Sequence, residues 1–300
     1  MIISVIIPHL NQPVELSRCL RSLSCQTFDP DSLEIIVVDN GSAELPSAIV
    51  ARHLRARLIG ERTPGPGPAR NAGAREATGQ ILAFIDADCR ADPRWLEAIA
   101  RTLEAAPPLT ILGGDVRLQS EDGDAVSPVE AYETVFAYRF KHYIEKQGYC
   151  GTGNLAVRRD DFFTIGPFAG IHIAEDMDWG QRARAAGYRF RYTPEMIVFH
   201  PARRSLSELY AKWDRQLHHY RTMAQATPGW RWRWTARALA VFVSPAVDVF
   251  KVLTSDRLNG SRARYDAIKV LCAIRTHRAL RMAKMLQDNQ PLSWNKTAAS

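Results

Sequence analysis

Short apolar runs alternate with amphipathic segments along the first hundred residues of the chain. Apolar runs rich in β-branched residues lie at 2–7, 33–38, 57–59 and 81–85. Segments with the apolar spacing of amphipathic helices lie between them, at 14–23, 45–54 and 69–77. This alternation predicts a largely parallel sheet with right-handed crossovers. Ligands bind outside the carboxyl ends of strands in such sheets, so the polar residues that follow each strand are candidates for a functional site.

The pattern becomes less regular after residue 110. A strand-like run at 111–118 is followed by predicted helices at 129–146, 205–226 and 265–286. We therefore predict an α/β fold of the Rossmann-like type, with a mixed, mostly parallel sheet flanked by helices and a C-terminal helical extension. The predicted parts are two halves of one domain, 1–110 and 111–204, and the extension at 205–300.

Composition excludes several classes of protein. Of 300 residues, 46% are hydrophobic and 24% are charged, which is typical of a globular chain. The five cysteines form no CxxC pair, which argues against a disulfide framework or a zinc site and favours a reducing, cytoplasmic compartment. No GxSxG, HExxH or P-loop motif supports a hydrolase, zinc protease or NTPase. The longest uncharged apolar stretch in the C-terminal third has ten residues, 238–247, whereas a spanning helix needs about 20.

Charge is distributed unevenly along the chain. Residues 1–200 contain 21 Lys and Arg against 26 Asp and Glu, whereas residues 201–300 contain 18 against 6, a net charge of +12. A basic extension that contains the tryptophan-rich run 230–234 favours an anionic membrane surface as its partner. No nucleic-acid-binding motif accompanies the charge, so we expect no nucleic acid and a peripheral position at the cytoplasmic face of the membrane. Alternatively, these helices pack on the rest of the chain and their arginines are solvated.

Polar side chains follow three of the predicted strands. Pro8 and Asn11 follow the first, Asp39 the second, and Asp86 and Asp88 the fourth. Asp and Asn also end strands and cap helices for purely structural reasons. However, two carboxylates separated by one residue repel each other unless a cation lies between them. Oxygen ligands of this kind suit Mg²⁺ or Mn²⁺ held together with substrate phosphates.

Two further segments carry candidate chemistry. The Pro- and Gly-rich segment 63–73 fails as a dinucleotide fingerprint, but it places Arg70 and Asn71 at a helix start suited to a diphosphate. Further along, Glu175, Asp176 and Asp178 begin a predicted helix. The helix dipole favours acids at that position. Since a cap requires only one or two acids, one of the three is also a candidate general base.

Taken in order, these segments resemble the family 2 inverting glycosyltransferases of the GT-A fold. The matching stretches are SVIIPHLNQ, EIIVVDNGS, PARNAGAREATGQILAFIDADC, GTGNLAVRR and AEDMDWGQRARAAGYRFRY, followed by VFH. The resemblance covers about residues 1–205. It implies a hexosyltransferase-type enzyme that moves a sugar from a nucleoside diphosphate sugar, with a UDP-sugar favoured, to a glycan or lipid-linked acceptor in polysaccharide or glycolipid synthesis. Residues 1–110 would bind the nucleotide sugar, and 111–204 would hold the acceptor-binding and catalytic groups.

The resemblance also implies individual roles on the donor side. Asp39 would bind the edge of the nucleobase, and Pro8 and Asn11 would line the nucleotide pocket. Asp86 would contact the ribose or a metal-bound water. Asp88 would ligate the divalent metal that bridges the diphosphate.

The resemblance implies further roles for residues of the second half, 111–204. Gly153 and Asn154 would shape the pocket for the sugar and the acceptor. Asp176 would be the general base, and Glu175 would orient the acceptor or the sugar. His200 would be a further ligand of the metal or the diphosphate.

Two alternatives to sugar transfer follow from the same residues. A metal-dependent nucleotidyltransferase also pairs acids with a metal on an α/β sheet, but it would not require the acids at 175–178 and would release pyrophosphate. A catalytically silent nucleotide-sugar-binding protein is the other alternative, and it would be expected to lack Asp88 or Asp176. Both of these acids are present.

Overall fold

A computed structural model describes residues 1–119, 126–171, 173–203 and 205–287 of the chain. The chain divides into two compact units. The sheet unit comprises Met1–Gln119 and Tyr138–Pro201, and the helical unit comprises Ser120–Ala137 and Ala202–Ser300. The end of the predicted extension, residues 288–300, lies outside the described residues. The predicted division of residues 1–204 into a donor half and an acceptor half stays a prediction.

The described residues of the sheet unit form one eight-stranded sheet in the order β3-β2-β1-β4-β7-β6-β8-β5. Its strands are β1 (Ile3–His9), β2 (Leu33–Asp39), β3 (Ala56–Gly60), β4 (Ile81–Ile85), β5 (Arg90–Ala91), β6 (Thr110–Gln119), β7 (Asn154–Arg158) and β8 (Arg189–Pro201). Strands β3, β2, β1 and β4 run parallel. Strand β7 is antiparallel to β4 and β6, β6 is parallel to β8, and β5 is antiparallel to β8. This mixed, mostly parallel sheet confirms the predicted fold class.

The helices alternate with the strands and are numbered separately, in chain order. They are α1 (Pro13–Ser24), α2 (Ser47–Val50), α3 (Pro66–Glu76), α4 (Trp95–Glu104), α5 (Pro128–Phe136), α6 (Phe140–His142), α7 (Arg159–Ile165), α8 (Glu175–Ala185), α9 (Leu206–Gln225), α10 (Trp230–Val243), α11 (Pro245–Leu253) and α12 (Ser261–Lys284). Helices α5 and α9 to α12 belong to the helical unit, and the others belong to the sheet unit.

Helices cover both faces of the sheet. Along β1, Val5 and Ile7 pack into the apolar core that contains residues of α1 and α4, whereas Ile6 packs into the core that contains residues of α3 and α8. A strand that is buried on both faces cannot carry polar residues on alternate positions. This explains why the strands appear in the sequence as continuous apolar runs.

The helical unit has its own apolar core and its own buried charges. Helix α5 begins with a capping box in which Ser127 and Glu130 exchange hydrogen bonds with each other's backbone. Buried Glu133 on α5 pairs with Arg203 and lies 3.7 Å from the amine of Lys212. These contacts satisfy a carboxylate that would otherwise be costly to bury.

Two predicted helices end earlier than the sequence pattern indicates. The segment predicted as a helix at 45–54 is helical only over Ser47–Val50, because the next residues turn directly into β3. The helix predicted at 129–146 is interrupted after Phe136, since Ala137 is extended and Tyr138 has a positive φ of 48°. Short helical segments follow at Phe140–His142 and Tyr143–Gln147. A left-handed tyrosine is incompatible with a continuing helix. The chain passes from the helical unit to the sheet unit at this point.

The close packing of α3 on β1 gives a testable consequence. A Cβ atom on Gly73 would lie 2.5 Å from Cγ2 of Ile6, so we expect Gly73→Ala to lower the free energy of unfolding by about 1–3 kcal/mol. Gly60→Ala is the matched control, because a Cβ there would meet nothing within 4 Å. Urea unfolding followed by tryptophan fluorescence measures both changes. Equal stability of the two variants would contradict the packing described here.

Candidate active site

The adjacent carboxyl ends of β1 and β2 surround one buried carboxylate, Asp39. The strand register places His9 directly opposite Asp39, and Nδ1 of His9 lies 3.1 Å from Oδ1 of Asp39. The backbone amides of Gly41 and Ser42 donate to Oδ2 at 3.1 and 3.0 Å. Burial alone raises the pKa of Asp39, but the hydrogen bonds from Ser42, His9 and the backbone outweigh it and hold the pKa below its ordinary value. Asp39 is therefore an ionised acceptor at neutral pH.

Asn11 ties the loop after β1 to the loop after β2. Its backbone amide donates to Oγ of Ser42 at 2.9 Å, and its side-chain Oδ1 accepts from the amide of Ala43 at 2.9 Å. Half-buried Pro8 is the penultimate residue of β1 and lies opposite Val38 of β2. The structure thus groups Pro8, Asn11 and Asp39 at one edge of the sheet.

His9 and Ser42 belong to this group, although the sequence analysis did not single them out. Oγ of Ser42 lies 3.3 Å from Nδ1 of His9, and Nε2 of His9 accepts from the amide of Gln12 at 3.2 Å. The signal in the sequence was a polar residue, His9, at the carboxyl end of a strand whose other polar residue, Ser4, lies at its start. Two parallel strands that end in register place such a residue against Asp39.

Arg70, in the first turns of α3, connects two acidic segments that are far apart in the sequence. One of its terminal nitrogens donates to Oδ1 of Asp86 at 2.5 Å, and the other donates to Oε1 of Glu175 at 3.2 Å. Only 4% of the Arg70 side chain is exposed, and among the described residues no group accepts a hydrogen bond from its Nε. The turn that carries Asp86 and Asp88 and the first turn of α8 therefore meet at one buried cation.

Gly153 allows the Asp86 carboxylate to occupy this position. A Cβ atom on Gly153 would lie 2.6 Å from Oδ2 of Asp86. A larger residue would displace the carboxylate from Arg70. Gly153 therefore shapes the site through the space that it leaves free.

The Asn154 side chain points into the interior of the sheet unit. It is fully buried, its Oδ1 accepts from Nε1 of Trp95 at 2.9 Å, and its Nδ2 donates to the carbonyls of Asp115 and Met196, each at 2.9 Å. These three bonds use both ends of the carboxamide. Any influence of this side chain on the sugar pocket is therefore indirect, through the strands that it holds together.

The side chain of Asn71 is likewise hydrogen-bonded within the sheet unit. Its Nδ2 donates to the carbonyl of Phe168 at 2.9 Å, and its Oδ1 accepts from the amide of Phe168 at 2.8 Å. This paired contact fixes the loop at Phe168 against α3. The neighbouring residue Arg70, and not Asn71, presents its polar group to the acids.

Asp88 and His200 lie together at the ends of β4 and β8. Nε2 of His200 is 3.4 Å from Oδ2 of Asp88, and Nδ1 is 2.7 Å from the carbonyl oxygen of Pro201. Since a carbonyl can only accept, Nδ1 donates to Pro201, and Nε2 is the ring nitrogen that faces Asp88. The ring of Tyr138 packs on the imidazole with 4.7 Å between ring centroids. An imidazole nitrogen beside a carboxylate fits Mn²⁺, and the carboxylate fits Mg²⁺.

Cys89 lies next to this pair but is unsuited to bind a hard cation. Its Sγ and the nearest ligand atoms of Asp88 and His200 all lie within 4.8 Å of one another. Burial, with a smaller contribution from the charge of Asp88, raises the pKa of the Cys89 thiol well above its ordinary value. The thiol therefore stays protonated, and its contact with Asp88 is at 3.6 Å. The fitting donors are the carboxylate and the imidazole.

The three acids that begin α8 have different surroundings. Glu175 is paired with Arg70, and Asp178 is paired with Arg182 at 3.0 Å. Asp176 makes no ion pair with any residue that the structure describes. It is therefore the acid of the three whose charge is least compensated.

The pKa of Asp176 reflects this difference. Burial, followed by repulsion from Glu175, raises its pKa from 3.8 to about 6. Its Oδ1 accepts a hydrogen bond from the amide of Met177 at 2.7 Å, which opposes the rise only in part. A carboxylate of this kind is ionised at neutral pH and is also a stronger base than an exposed aspartate, as a general base requires.

Comparison with known proteins identifies the family to which these residues belong. Residues 4–171, more than half of the chain, match the sequence profile described as "Glycosyl transferase family 2". The chain belongs to this family. It is a glycosyltransferase, which confirms the predicted family and enzyme class.

The matches between this glycosyltransferase and its relatives extend over different shares of the two chains. It is 33% identical over 207 residues to glycosyltransferase AglE of Haloferax volcanii, and the match covers 67% of each chain. It is 27% identical over 221 residues to the pre-mycofactocin glycosyltransferase of Mycobacterium tuberculosis, covering 70% of this chain but 45% of the relative. Its match to the validoxylamine A glucosyltransferase of Streptomyces hygroscopicus, 33% identical over 118 residues, covers 26% of that relative.

Solved structures share the fold of this glycosyltransferase. The mannosyltransferase PcManGT of Pyrobaculum calidifontis, in complex with GDP-Man and Mn²⁺, has a TM-score of 0.62 at 18% identity, covering 96% of this chain and 88% of that one. Residues 1–349 of TarS from S. aureus, in complex with UDP-GlcNAc, have a TM-score of 0.54 at 16% identity, covering 96% of this chain and 92% of that one. At such low identity these likenesses show the GT-A fold alone.

The raised pKa of Asp176 in this glycosyltransferase predicts a stabilising substitution. The folded protein binds this proton more tightly than the unfolded chain, so between about pH 4 and pH 6 stability is lost as the pH rises. We expect Asp176→Asn to raise the free energy of unfolding at pH 7.5 by up to about 3 kcal/mol, since a shift of one pKa unit corresponds to about 1.4 kcal/mol. The gain should disappear as the pH falls to 4. Urea unfolding with a metal chelator present measures it.

The matched control for this substitution is Asp178→Asn, in the same turn of α8. It removes the ion pair with Arg182 and should therefore give no gain in stability at pH 7.5. An equal effect of the two substitutions would show that Asp176 is not destabilised by its charge.

Proposed function

We propose that this glycosyltransferase moves a sugar from a nucleoside diphosphate sugar to an acceptor hydroxyl with inversion at the anomeric carbon. The proposal is carried by the contact of Arg70 with both Asp86 and Glu175, which joins two acidic segments far apart in the sequence. We assign Asp86 to the donor side and Glu175 to the acceptor side. The fold neighbours PcManGT and TarS were solved with GDP-Man and with UDP-GlcNAc, which supports a nucleotide sugar as the donor.

On the donor side, we assign the nucleobase to the group formed by Pro8, Asn11 and Asp39. An ionised, buried acceptor such as Asp39 suits a ring N–H of the base. We favour a UDP-sugar. His9 and Ser42 hold the carboxylate in place through their contacts with it. The loops joined by Asn11 would close around the base.

Asp88 and His200 are the residues we assign to a divalent cation, Mn²⁺ or Mg²⁺. Such an ion supplies Lewis-acid stabilisation to a leaving diphosphate when it is bound. Asp86 would reach the ribose or a metal-bound water while it accepts from Arg70. The buried guanidinium adds a fixed positive charge beside the same leaving group.

On the acceptor side, Asp176 is the group we assign as general base. An acceptor hydroxyl is a weak nucleophile until a carboxylate within hydrogen-bond distance takes its proton. The anomeric carbon passes through an oxocarbenium-like state, and a nucleophile that attacks from the face opposite the diphosphate inverts its configuration. Glu175, fixed by Arg70, would orient the acceptor or the sugar.

The acceptor and its location complete the proposal. A glycan or lipid-linked acceptor in polysaccharide or glycolipid synthesis fits a chain whose residues 201–300 carry a net charge of +12, because an anionic membrane surface attracts that charge. No helix in the described part of the chain is long and apolar enough to cross a membrane. We therefore propose peripheral attachment at the cytoplasmic face. No specific observation favours the nucleotidyltransferase or the silent binding protein.

Asp176→Asn tests the proposed reaction. We expect turnover to fall by about two to four orders of magnitude with donor affinity nearly unchanged, because only proton transfer is lost. In the unsubstituted enzyme, kcat/KM should rise with pH and level off above about pH 6, as Asp176 ionises. Release of free nucleoside diphosphate measures turnover, and calorimetry measures donor affinity.

Asp178→Asn is again the control and should keep turnover within a few-fold, because Asp178 is paired with Arg182. Near-normal turnover of Asp176→Asn would remove Asp176 from the role of base. Formation of pyrophosphate in place of nucleoside diphosphate would overturn the proposed reaction itself.

The proposed cation site can be tested without measuring activity. We expect Asp88→Ala and His200→Ala each to weaken Mn²⁺ binding about tenfold or more, as measured by electron paramagnetic resonance of free Mn²⁺ in the presence of UDP. Cys89→Ser is the control and should leave the affinity unchanged, because the thiol stays protonated. Unchanged affinity in both Asp88→Ala and His200→Ala would overturn the assignment.

A further inference from the structure

Helices α10 and α11 contribute only one face to the core of the helical unit. Their buried residues are Trp234, Ala238 and Val241 on α10, and Asp248 and Val252 on α11. These positions recur every three, four or seven residues, which places them on one side of a helix. The opposite side of both helices is exposed.

That exposed side is apolar along its whole length. We call it the outer strip, and its residues are Trp232, Leu239, Phe242, Val243, Val247, Phe250 and Leu253, each between 49% and 69% exposed. At about 100° per residue they lie roughly opposite the buried face. From residue 232 to residue 253 the strip is about 30 Å long at 1.5 Å per residue. Contiguous exposed apolar surface of this extent marks an interaction site.

Cations border the outer strip, and exposed acids are absent from both helices. Arg233, Arg237 and Lys251 are exposed and lie along one edge of the strip, with Arg231 on the other edge. The single acid of α10 and α11, Asp248, is only 6% exposed and is bonded to Lys251 at 2.6 Å and to Arg275 at 2.7 Å. The exposed charged residues of α10 and α11 are therefore all cations.

The chemistry of the outer strip identifies its partner. An apolar helix face bordered by Arg and Lys, with an exposed tryptophan, fits the interface of a bilayer that contains anionic lipids. A second copy of the chain would also bury the apolar side chains, but its bordering cations would repel those of the first copy. The helices have 14 and 9 residues and are separated at Ser244, so they are too short to span a bilayer. They suit a position in the plane of the membrane surface.

We propose that the outer strip of α10 and α11 is the surface through which this protein docks on an anionic lipid bilayer. Phe242, Phe250 and their apolar neighbours enter the interface, while Arg233 and Arg237 contact lipid phosphates. This inference rests on the membrane attachment proposed above and is independent of the sugar chemistry.

Vesicle flotation of the full chain tests the proposal. We expect flotation with vesicles of phosphatidylcholine and phosphatidylglycerol, and much less with phosphatidylcholine alone. The double variant Phe242→Gln, Phe250→Gln should lower the partition coefficient about tenfold or more. Arg233→Gln with Arg237→Gln should reduce the preference for phosphatidylglycerol. Circular dichroism checks that the variants remain folded.

A control substitutes two exposed apolar residues of the sheet unit, Leu45→Gln with Leu54→Gln, and should float like the unsubstituted protein. If the Phe242→Gln, Phe250→Gln variant floats as well as the unsubstituted protein, the outer strip is not the docking surface, although membrane attachment stands. If the unsubstituted protein does not float, both proposals fail. If light scattering shows a dimer that this double variant dissociates, the strip joins two copies instead.

Discussion

The geometry of the site depends on one buried cation. Arg70 is nearly inaccessible to water, and it donates to Asp86 on one side and to Glu175 on the other. Without it, acids from the turn after β4 and from the start of α8 would repel one another. The guanidinium offers its donors in a rigid planar fork, so it fixes both distance and direction, which a lysine would not do. Side chains from the turn after β4 and from the start of α8 are thus held in a fixed arrangement by a single residue.

Arg70 also gives the neighbouring acids Glu175 and Asp176 different electrostatic surroundings. Glu175 is compensated by its ion pair, whereas Asp176, its neighbour in the chain, keeps a pKa of about 6 because burial and the charge of Glu175 both disfavour its ionisation. The protein is therefore less stable at neutral pH than it would be with an uncharged residue at this position. A carboxylate that is costly to ionise is also one that readily accepts a proton. This arrangement is typical of active sites, where stability is lost in exchange for reactivity.

The sequence alone was sufficient to predict the features that depend on the local pattern of apolar and polar residues. The apolar runs predicted β1, β2 and β4, and the rule that ligands bind at strand ends selected Asp39, Asp86 and Asp88. What it could not supply were contacts that depend on how distant segments pack. The side-chain amide of Asn154 forms hydrogen bonds with three groups from different parts of the sheet unit. His9 contacts Asp39 only because two strands end in register. The basic extension was visible in the sequence, but the outer strip became visible only when the opposite face of α10 was seen to be buried.

The hydrogen bonds of the Asn154 side chain limit where the substrate specificity of this enzyme can be altered. Its partners are an indole N–H and two carbonyls, and no other side chain of similar size offers one acceptor and two donors in that arrangement. Libraries that vary Trp95 or Asn154 would therefore yield mostly unfolded proteins. The loops after β1 and β2 also carry exposed side chains, such as Leu10 and Ala43, that can vary without disturbing the core. If these loops hold the nucleobase as proposed, they are the more productive place to search for new donor specificity.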